Sequence, residues 1–352
     1  MRRSVLCVTA LAVVLFGCGK EETPPPVAPT TPTTNAATPP AQSGSAATTI
    51  TDGQLDAVQK ATKPLKFVLI VKTKNNPFFL PMIKAFEDTA RELGVAAEVQ
   101  AGAQEASYEQ QVALVQTEVS KGTAAILITP ADSKALVPAL KKAADAGILI
   151  INLDNRLDPE TVKSQNLALG GYVGVDNVQG GEKAGMALME AMGGHGDVAV
   201  MEGIRGVDNA EARKKGFELA VGHRLKIVAY ETGEWETEKA YNKTLSLLAA
   251  HPTLGGIFCA NDNMAIGAMK AIAEKGKKGQ IKVVGYDDIP TVTEAINSGD
   301  LSATIEQHPD YMGKYGVRMA LGILQGTIPK GGEYLVSLET IQRRNSVSPA
   351  TP

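Results

Sequence analysis

Residues 67–79 read FVLIVKTKNNPFF: five apolar residues, the polar Lys72, Asn75 and Asn76, then Pro77 and two adjacent aromatics, Phe78 and Phe79. An apolar run of this length, bounded by polar and proline signals, predicts a strand buried on both faces, as inside a parallel sheet. The exit of such a strand is the informative part. Amide and ammonium groups at a strand's carboxyl end, with aromatic rings directly after them, can hydrogen-bond a polar ligand and cover its apolar face. The same residues also suit a helix entry, with Asn76 as N-cap, Pro77 at the first helical position and both rings turned into the core.

Outward from this stretch, β-rich runs alternate with helical ones. Strands are expected at FVLIV (67–71), AAEVQ (96–100), AILIT (125–129), LIINL (149–153) and YVGV (172–175), with helices ending near Gly94, Gly122 and Gly147. The rhythm resumes at VAVME (198–202), KIVAY (226–230), GIFCA (256–260), KVVGY (282–286) and ATIEQ (303–307), with helices ending near Gly193, Gly276 and Gly299. Strand starts recur at roughly thirty-residue intervals, the length of one βαβ step. The fold class is therefore α/β, with two doubly wound parallel-sheet domains and NLALGGYVGVDNVQGG (166–181) as the crossover between them. A last helix, about Tyr311–Gln325, and one final strand near Tyr334–Ile341 complete the pattern, and RRNSVSPATP (343–352) reads as a polar tail.

The N-terminal part has a different character. Arg2 and Arg3, an apolar run from Val5 to Phe16, then Gly17 and Cys18 have the form of an export signal, and the run is short for a membrane span. A small residue followed by cysteine resembles the lipobox of bacterial lipoproteins, which implies acylation of Cys18; Phe16 is larger than the residue usual at its position. An ordinary signal peptide ending in cysteine is the alternative, although no clear small-x-small cleavage site competes. From Gly19 to about Thr51 the chain is dominated by Pro, Thr, Ala and Ser and cannot build a core, and residues 52–65 are a weak transition with room for one short helix. Residues 19–64 are thus expected to be a disordered tether. Once Cys7 leaves with the signal and Cys18 is lipidated, Cys259 alone remains in the folded part, in the apolar run GIFCA, so no disulfide forms within the mature chain.

The net charge of −3 points to no polyanionic partner, which argues against nucleic acid, and 35 glycines with 5% aromatics fit an α/β protein rather than a membrane bundle. Ligands of open parallel sheets bind beyond the carboxyl ends of the strands. Those ends carry Lys72 and Asn76, Thr129, Asp154 with Asn155 and Arg156, Asp176, Glu202, Asn261 with Asp262, Asp287 with Asp288, and Gln307. Nearly all can hydrogen-bond a hydroxyl group, which suits a neutral polyhydroxylated ligand, although any single Asp or Asn serves equally as a helix cap. Arg213 opens a helix in NAEARKKGF, and Trp235 stands in the polar loop GEWETE, where a flat ring can stack on a sugar face. His195, His223, His251 and His308 are scattered without metal-ligand spacing, no serine or cysteine has a nucleophile's setting, and GGYVG and GGEKAG lack the context of a phosphate loop. Neither an enzyme nor a cofactor is expected.

From about Leu65 to Arg343 the chain resembles the ribose, allose and galactose type of bacterial periplasmic sugar-binding protein, the solute receptors of ABC sugar importers. The motifs NNPFF, ILITPADS, INLDNR, VGVDN, NAEARKKGF, AHP followed by IFCANDNMAIGA, VVGYDD and ATIEQHPDYMG occur in order. The resemblance implies that Asn76, Phe78, Phe79 and Asp154 line the ligand from the first domain, and Arg213, Trp235, Asn261, Asp287 and Gln307 from the second. Asn155 stands where ribose-type members have arginine, with Arg156 one residue later, and Lys72 replaces a small hydroxyl residue in a pattern closer to the allose-type branch. The implied hinge crosses near Val175, Gln307 and Ser337, giving a first domain of residues 65–175 plus 308–336, a second of 176–307 plus 337–345, and a tail at 346–352. The expected protein is an exported, lipid-anchored, monomeric receptor that delivers a monosaccharide or polyol to an ABC permease; the alternative is a signalling receptor that presents a sugar-like signal to a chemoreceptor or sensor kinase.

Overall fold

The structure is a computed structural model that describes residues 48–343. The signal segment with Cys18, most of the tether and the tail at 346–352 lie outside the described residues. The first run of elements is α1 (Asp52–Asp56), β1 (Lys66–Thr73), α2 (Phe79–Glu92), β2 (Ala96–Gly102), α3 (Tyr108–Val119), β3 (Ala125–Ile128), α4 (Val137–Asp145), β4 (Leu149–Leu153), α5 (Pro159–Ser164) and β5 (Gly171–Gly174). The second is α6 (Asn177–Ala191), β6 (Gly196–Glu202), α7 (Asp208–Val221), β7 (Leu225–Thr232), α8 (Thr237–Ala250), β8 (Leu254–Cys259), α9 (Asp262–Glu274), β9 (Lys282–Val284), α10 (Thr293–Ser298) and β10 (Ala303–Glu306). Then come α11 (Pro309–Gln325), β11 (Gly332–Leu335) and β12 (Glu339–Gln342).

These strands form two six-stranded sheets, ordered β11-β5-β4-β3-β1-β2 and β12-β10-β9-β8-β6-β7. The first is wholly parallel; in the second only β12 runs antiparallel, against β10. Two α/β domains result. The apolar run of β1 organises the first of them. Successive β1 side chains point to opposite faces. Phe67, Leu69 and Val71 enter one apolar cluster with Phe79, Met82 and Phe86 of α2, while Val68 and Ile70 enter another with Val115, Leu136 and Leu140. Helices therefore cover both faces, and each large side chain so buried contributes about 1.5–3 kcal/mol.

The chain passes between the sheets three times, at 175–176, 307–308 and 336–338. The last passage corrects the single final strand expected at Tyr334–Ile341. Val336 N still donates to Gly174 O of β5 at 2.7 Å, but Glu339 already pairs with Glu306 of the other sheet, so the stretch is two short strands split by a sheet change.

The tether also needs correction, because its last part is built into the first domain. Thr49 bridges Glu333, Ile50 N donates to Glu333 O at 2.7 Å, and Glu333 N donates to Thr48 O at 2.9 Å, which covers the exposed edge of β11. Thr51 and Gln54 then form a capping box on α1, and Ile50, Leu55 and Val58 are buried. A few large apolar residues scattered among small polar ones carry no clear period, yet three of them suffice to dock the segment.

Candidate functional site

Strand ends from both sheets converge on one cavity, lined by Lys72, Asn76, Phe78, Phe79, Glu105, Asp154, Asn209, Arg213, Trp235, Asn261, Asp287 and Gln307. It is narrow, leaving ≈ 20 Å³ for the centre of a water molecule, so a larger occupant must displace contacts that the lining residues make to one another. A wider pocket of ≈ 310 Å³ adjoins it and shares Asn76, Glu105 and Trp235 as a common wall.

On the first-domain side, α2 begins at Phe79 with Phe78 at its N-cap position and no side-chain cap bond, so Pro77 is not the first helical residue and the expected N-cap role does not fall to Asn76. Its Oδ1 accepts from Phe78 N at 3.1 Å, holding the entry to α2, while its Nδ2 donates to Glu105 Oε1 at 2.7 Å beside the cavity. Phe78 and Phe79 pack edge to face, 5.1 Å between ring centroids, and are buried while still lining the cavity. Burial pushes the carboxyls of Glu105 and Asp154 up from their ordinary values, with Lys72 opposing the rise in both.

On the second-domain side, Arg213 is the centre. Gly181 of α6 and Gly216 of α7 let the two helices touch backbone to backbone: a Cβ on Gly181 would lie 2.1 Å from Arg213 O, and one on Gly216 would lie 1.9 Å from Val178 O. The glycines of GGEKAG thus serve helix packing. Asp176 caps α6 by accepting from Val178 N and Gln179 N at 3.0 Å, which fixes the neighbouring Asn177, whose Oδ1 accepts from Arg213 Nε at 2.8 Å. Arg213 also donates to Ala260 O at 2.8 Å and Gln307 Oε1 at 3.0 Å, and its guanidinium stacks 3.7 Å over the Tyr286 ring. Asn261 caps α9 through Met264 N and donates to Trp235 O at 3.3 Å, so one side chain starts a helix and fixes the tryptophan loop.

Three lining residues other than glycine have left-handed backbone: Asp154 at φ 58°, Trp235 at 70° and Asp287 at 114°. Such conformations cost on the order of 1–3 kcal/mol each and concentrate at ligand sites. In addition, Asp154 Oδ1, Asn209 Oδ1 and Trp235 Nε1 are buried without a hydrogen-bond partner. Buried polar atoms are nearly always paired. Two free acceptors and one free donor match hydroxyl groups, which both give and accept. No cluster of His, Cys, Asp or Glu suited to a metal occurs among the described residues.

The cavity brings together ten of the expected site residues; Asn155, Thr129 and Arg156 do not line it. Thr129 Oγ1 accepts from Lys72 N at 3.2 Å and so positions the end of β1 from behind. Arg156 pairs with Glu333 and lies 3.7 Å over the Tyr172 ring, inside the first domain. Asn155 is fully buried and bonds Pro130 O, Ser133 Oγ and Asn209 N. Among the other strand-end acids, Glu202 pairs with Arg205 and Lys214, and Asp262 accepts from Tyr286 N, Ile289 N and Thr304 Oγ1; both are structural. Sequence reasoning missed Glu105 and Asn209. Glu105 sits past the small residues that end β2, where no polar side chain marks the strand end, and Asn209 lies within the NAEARKKGF motif.

The sequence profile described as "Periplasmic binding protein domain" matches residues 67–328. The chain is 35% identical over 281 residues to the D-ribose/D-allose-binding protein of Pseudomonas aeruginosa, spanning 78% of this chain and 88% of that protein. It is 35% identical over 283 residues to the ribose import binding protein of Escherichia coli, spanning 80% and 92%. Among solved structures it is similar to an ABC transporter periplasmic solute binding protein of Actinobacillus succinogenes with bound D-allose, at 41% identity and a TM-score of 0.76, covering 80% of this chain and 98% of that one.

Proposed function

We propose that this chain, which belongs to the periplasmic binding protein family, is an exported receptor that captures a monosaccharide, whether pentose, hexose or related polyol, and delivers it to an ABC importer. The observation that carries this reading is the cavity between the two sheets, walled by aromatic rings and paired polar groups and holding unpartnered acceptors and a donor. Relatives whose names specify ribose or allose, and a structural neighbour with bound D-allose, support the choice of a monosaccharide. Lys72 in the cavity and Asn155 directed away from it favour an allose-like over a ribose-like ligand. The comparisons lend no support to the signalling alternative.

The domains are 48–175 plus 308–336 and 176–307 plus 337–343, joined through the three passages between the sheets. Contacts supplied by both domains are complete only when the cleft is closed, so ligand favours closure by its differential contact energy, and the permease reads the closed shape. The protein works by binding and turns nothing over. We further propose that it acts as a monomer held to a membrane through Cys18.

The test is calorimetric titration of the full chain with D-allose, D-ribose, D-galactose and xylitol, with the emission of Trp235, the chain's one tryptophan, followed in parallel. Saturable binding of at least one sugar with a change in that emission is expected. No heat and no emission change with any of them would overturn the proposal.

A further inference from the structure

Helix α7 carries Arg213 and Asn209 into the cavity, yet it has no cap of its own. Its N-cap position is Val207, which makes no side-chain cap bond. The first N–H groups of a helix have no intrahelical partners and need some acceptor. Here the acceptors come from the other domain: Asp208 N donates to Ser133 Oγ at 3.0 Å and Asn209 N donates to Asn155 Oδ1 at 3.2 Å. Ser133 and Asn155 are themselves buried and tied together, because Asn155 Nδ2 donates to Pro130 O at 2.9 Å and reaches Ser133 Oγ at 3.4 Å. Neither residue lines the cavity.

We propose that Asn155 and Ser133 form a latch that caps α7 across the cleft, stabilising closure independently of the sugar. The proposal rests on the two-domain receptor reading above. When the domains part, α7 loses its cap and the two amides turn to water; when they meet, capping and the placement of Arg213 occur together. Asn155 is then a positioning residue whose effect reaches the ligand through the closing equilibrium. Such a latch also explains how an asparagine can stand beside Asp154 without lining the cavity.

The cleanest probe removes one backbone N–H and carries a control for the side chain lost with it. Proline is tolerated at the first helical position, and Val207, at φ −87° and ψ 133°, already has the extended backbone that precedes proline. Asp208→Pro therefore deletes the donor to Ser133, and Asp208→Ala controls for the lost side chain. Ser133→Ala and Asn155→Ala remove the acceptors, with circular dichroism verifying that each variant folds. Sugar-free radius of gyration is measured by small-angle scattering, and D-allose dissociation by stopped-flow emission of Trp235.

Asp208→Pro, Ser133→Ala and Asn155→Ala are each expected to enlarge the sugar-free particle and to speed dissociation about two- to tenfold, the range of one such bond, while Asp208→Ala, which loses only the carboxylate attracted to Arg156, moves both less than Asp208→Pro does. Equal values for Asp208→Pro and Asp208→Ala would overturn the latch. So would a loss of affinity confined to Asn155→Ala, which would mark a direct sugar contact. If the wild type binds none of the four compounds titrated above, the receptor reading is at fault, and the scattering comparison still decides the latch.

Discussion

Arg213 Nη1 lies 3.5 Å from Asp287 Oδ1, and Gln307 is bonded to both, accepting from the guanidinium at 3.0 Å and donating to the carboxylate at 2.7 Å. All three are buried, on two different second-domain loops and one helix. The trio therefore holds itself together. Burial drives the Asp287 carboxyl well above its ordinary value even with Arg213 beside it.

Removing Asp287 should separate binding from folding in a graded way. Asp287→Asn keeps the shape and one acceptor, so D-allose affinity should fall about 10- to 100-fold with little change in melting temperature. Asp287→Ala leaves Arg213 without its counter-charge, and deleting one partner of a buried pair costs up to about 3–5 kcal/mol; three other Arg213 hydrogen bonds survive and reduce that. Its melting temperature should fall by several degrees beyond that of Asp287→Asn. Titration and scanning calorimetry on both variants check this, and wild-type affinity in both would remove Asp287 from the site.

A methyl group at Gly181 should act on the site from behind. The new Cβ would meet Arg213 O at 2.1 Å, and a carbonyl in mid-helix cannot step aside, so α7 must shift and take Arg213 with it. Overpacking of this kind costs about 1–3 kcal/mol. Gly181→Ala should lower both the melting temperature and the affinity for D-allose, whereas Gly53→Ala, whose Cβ meets nothing within 4 Å, should lower neither. Retained affinity in a destabilised Gly181→Ala would show that α6 does not position the arginine.

Much of this was legible in the chain itself, for identifiable reasons. Buried parallel strands such as β1 and β4 are continuous apolar runs, and their ends are marked by a sudden change to polar residues, so Lys72, Asn76, Asp154, Asn261 and Asp287 stood out. The features that stayed hidden depend on direction rather than residue type. Asn155 and Asp154 are neighbours of similar shape, yet only Asp154, with its left-handed backbone, lines the cavity. The change of sheet between Tyr334 and Ile341 left no mark in the residue pattern, because a strand reads the same whichever sheet it joins, and only the family resemblance implied a crossing near Ser337.

Where the folded part begins can be tested by truncation. A chain starting at Thr48 retains the pairing with Glu333 and should melt with the full chain. One starting at Leu65 loses Ile50, Leu55 and Val58 from the core, and also the carbonyls of Leu55 and Asp56 that accept from Arg318 at 3.4 Å. Each buried side chain is worth about 1.5–3 kcal/mol, less the cost of ordering the segment. The melting temperature of the shorter chain should therefore drop by roughly 5–10 °C. Identical melting curves would return residues 48–64 to the tether.

The cavity carboxyls also fix the sign of a pH dependence. Burial raises the folded-state values of Asp154 and Asp287 above 3.8 and that of Glu105 above 4.5, against the pull of Lys72 and Arg213. The folded chain then holds protons that the unfolded chain has already released. The stability these groups contribute is fully present below the ordinary carboxylate value and is lost as pH rises through the raised values. Asp88 and Glu98, whose ion pairs with Lys84 and Lys66 lower their values, act in the opposite sense, so a variant must isolate the cavity term. Asp154→Asn is neutral at every pH and nearly isosteric. Without sugar, the stability advantage of Asp154→Asn over wild type should grow as pH rises above about 4 and level off once the raised value is passed, measured by calorimetry at fixed ionic strength. Parallel curves for the two proteins would mean that Asp154 is charged in the folded state across that range and that its burial is compensated by Lys72.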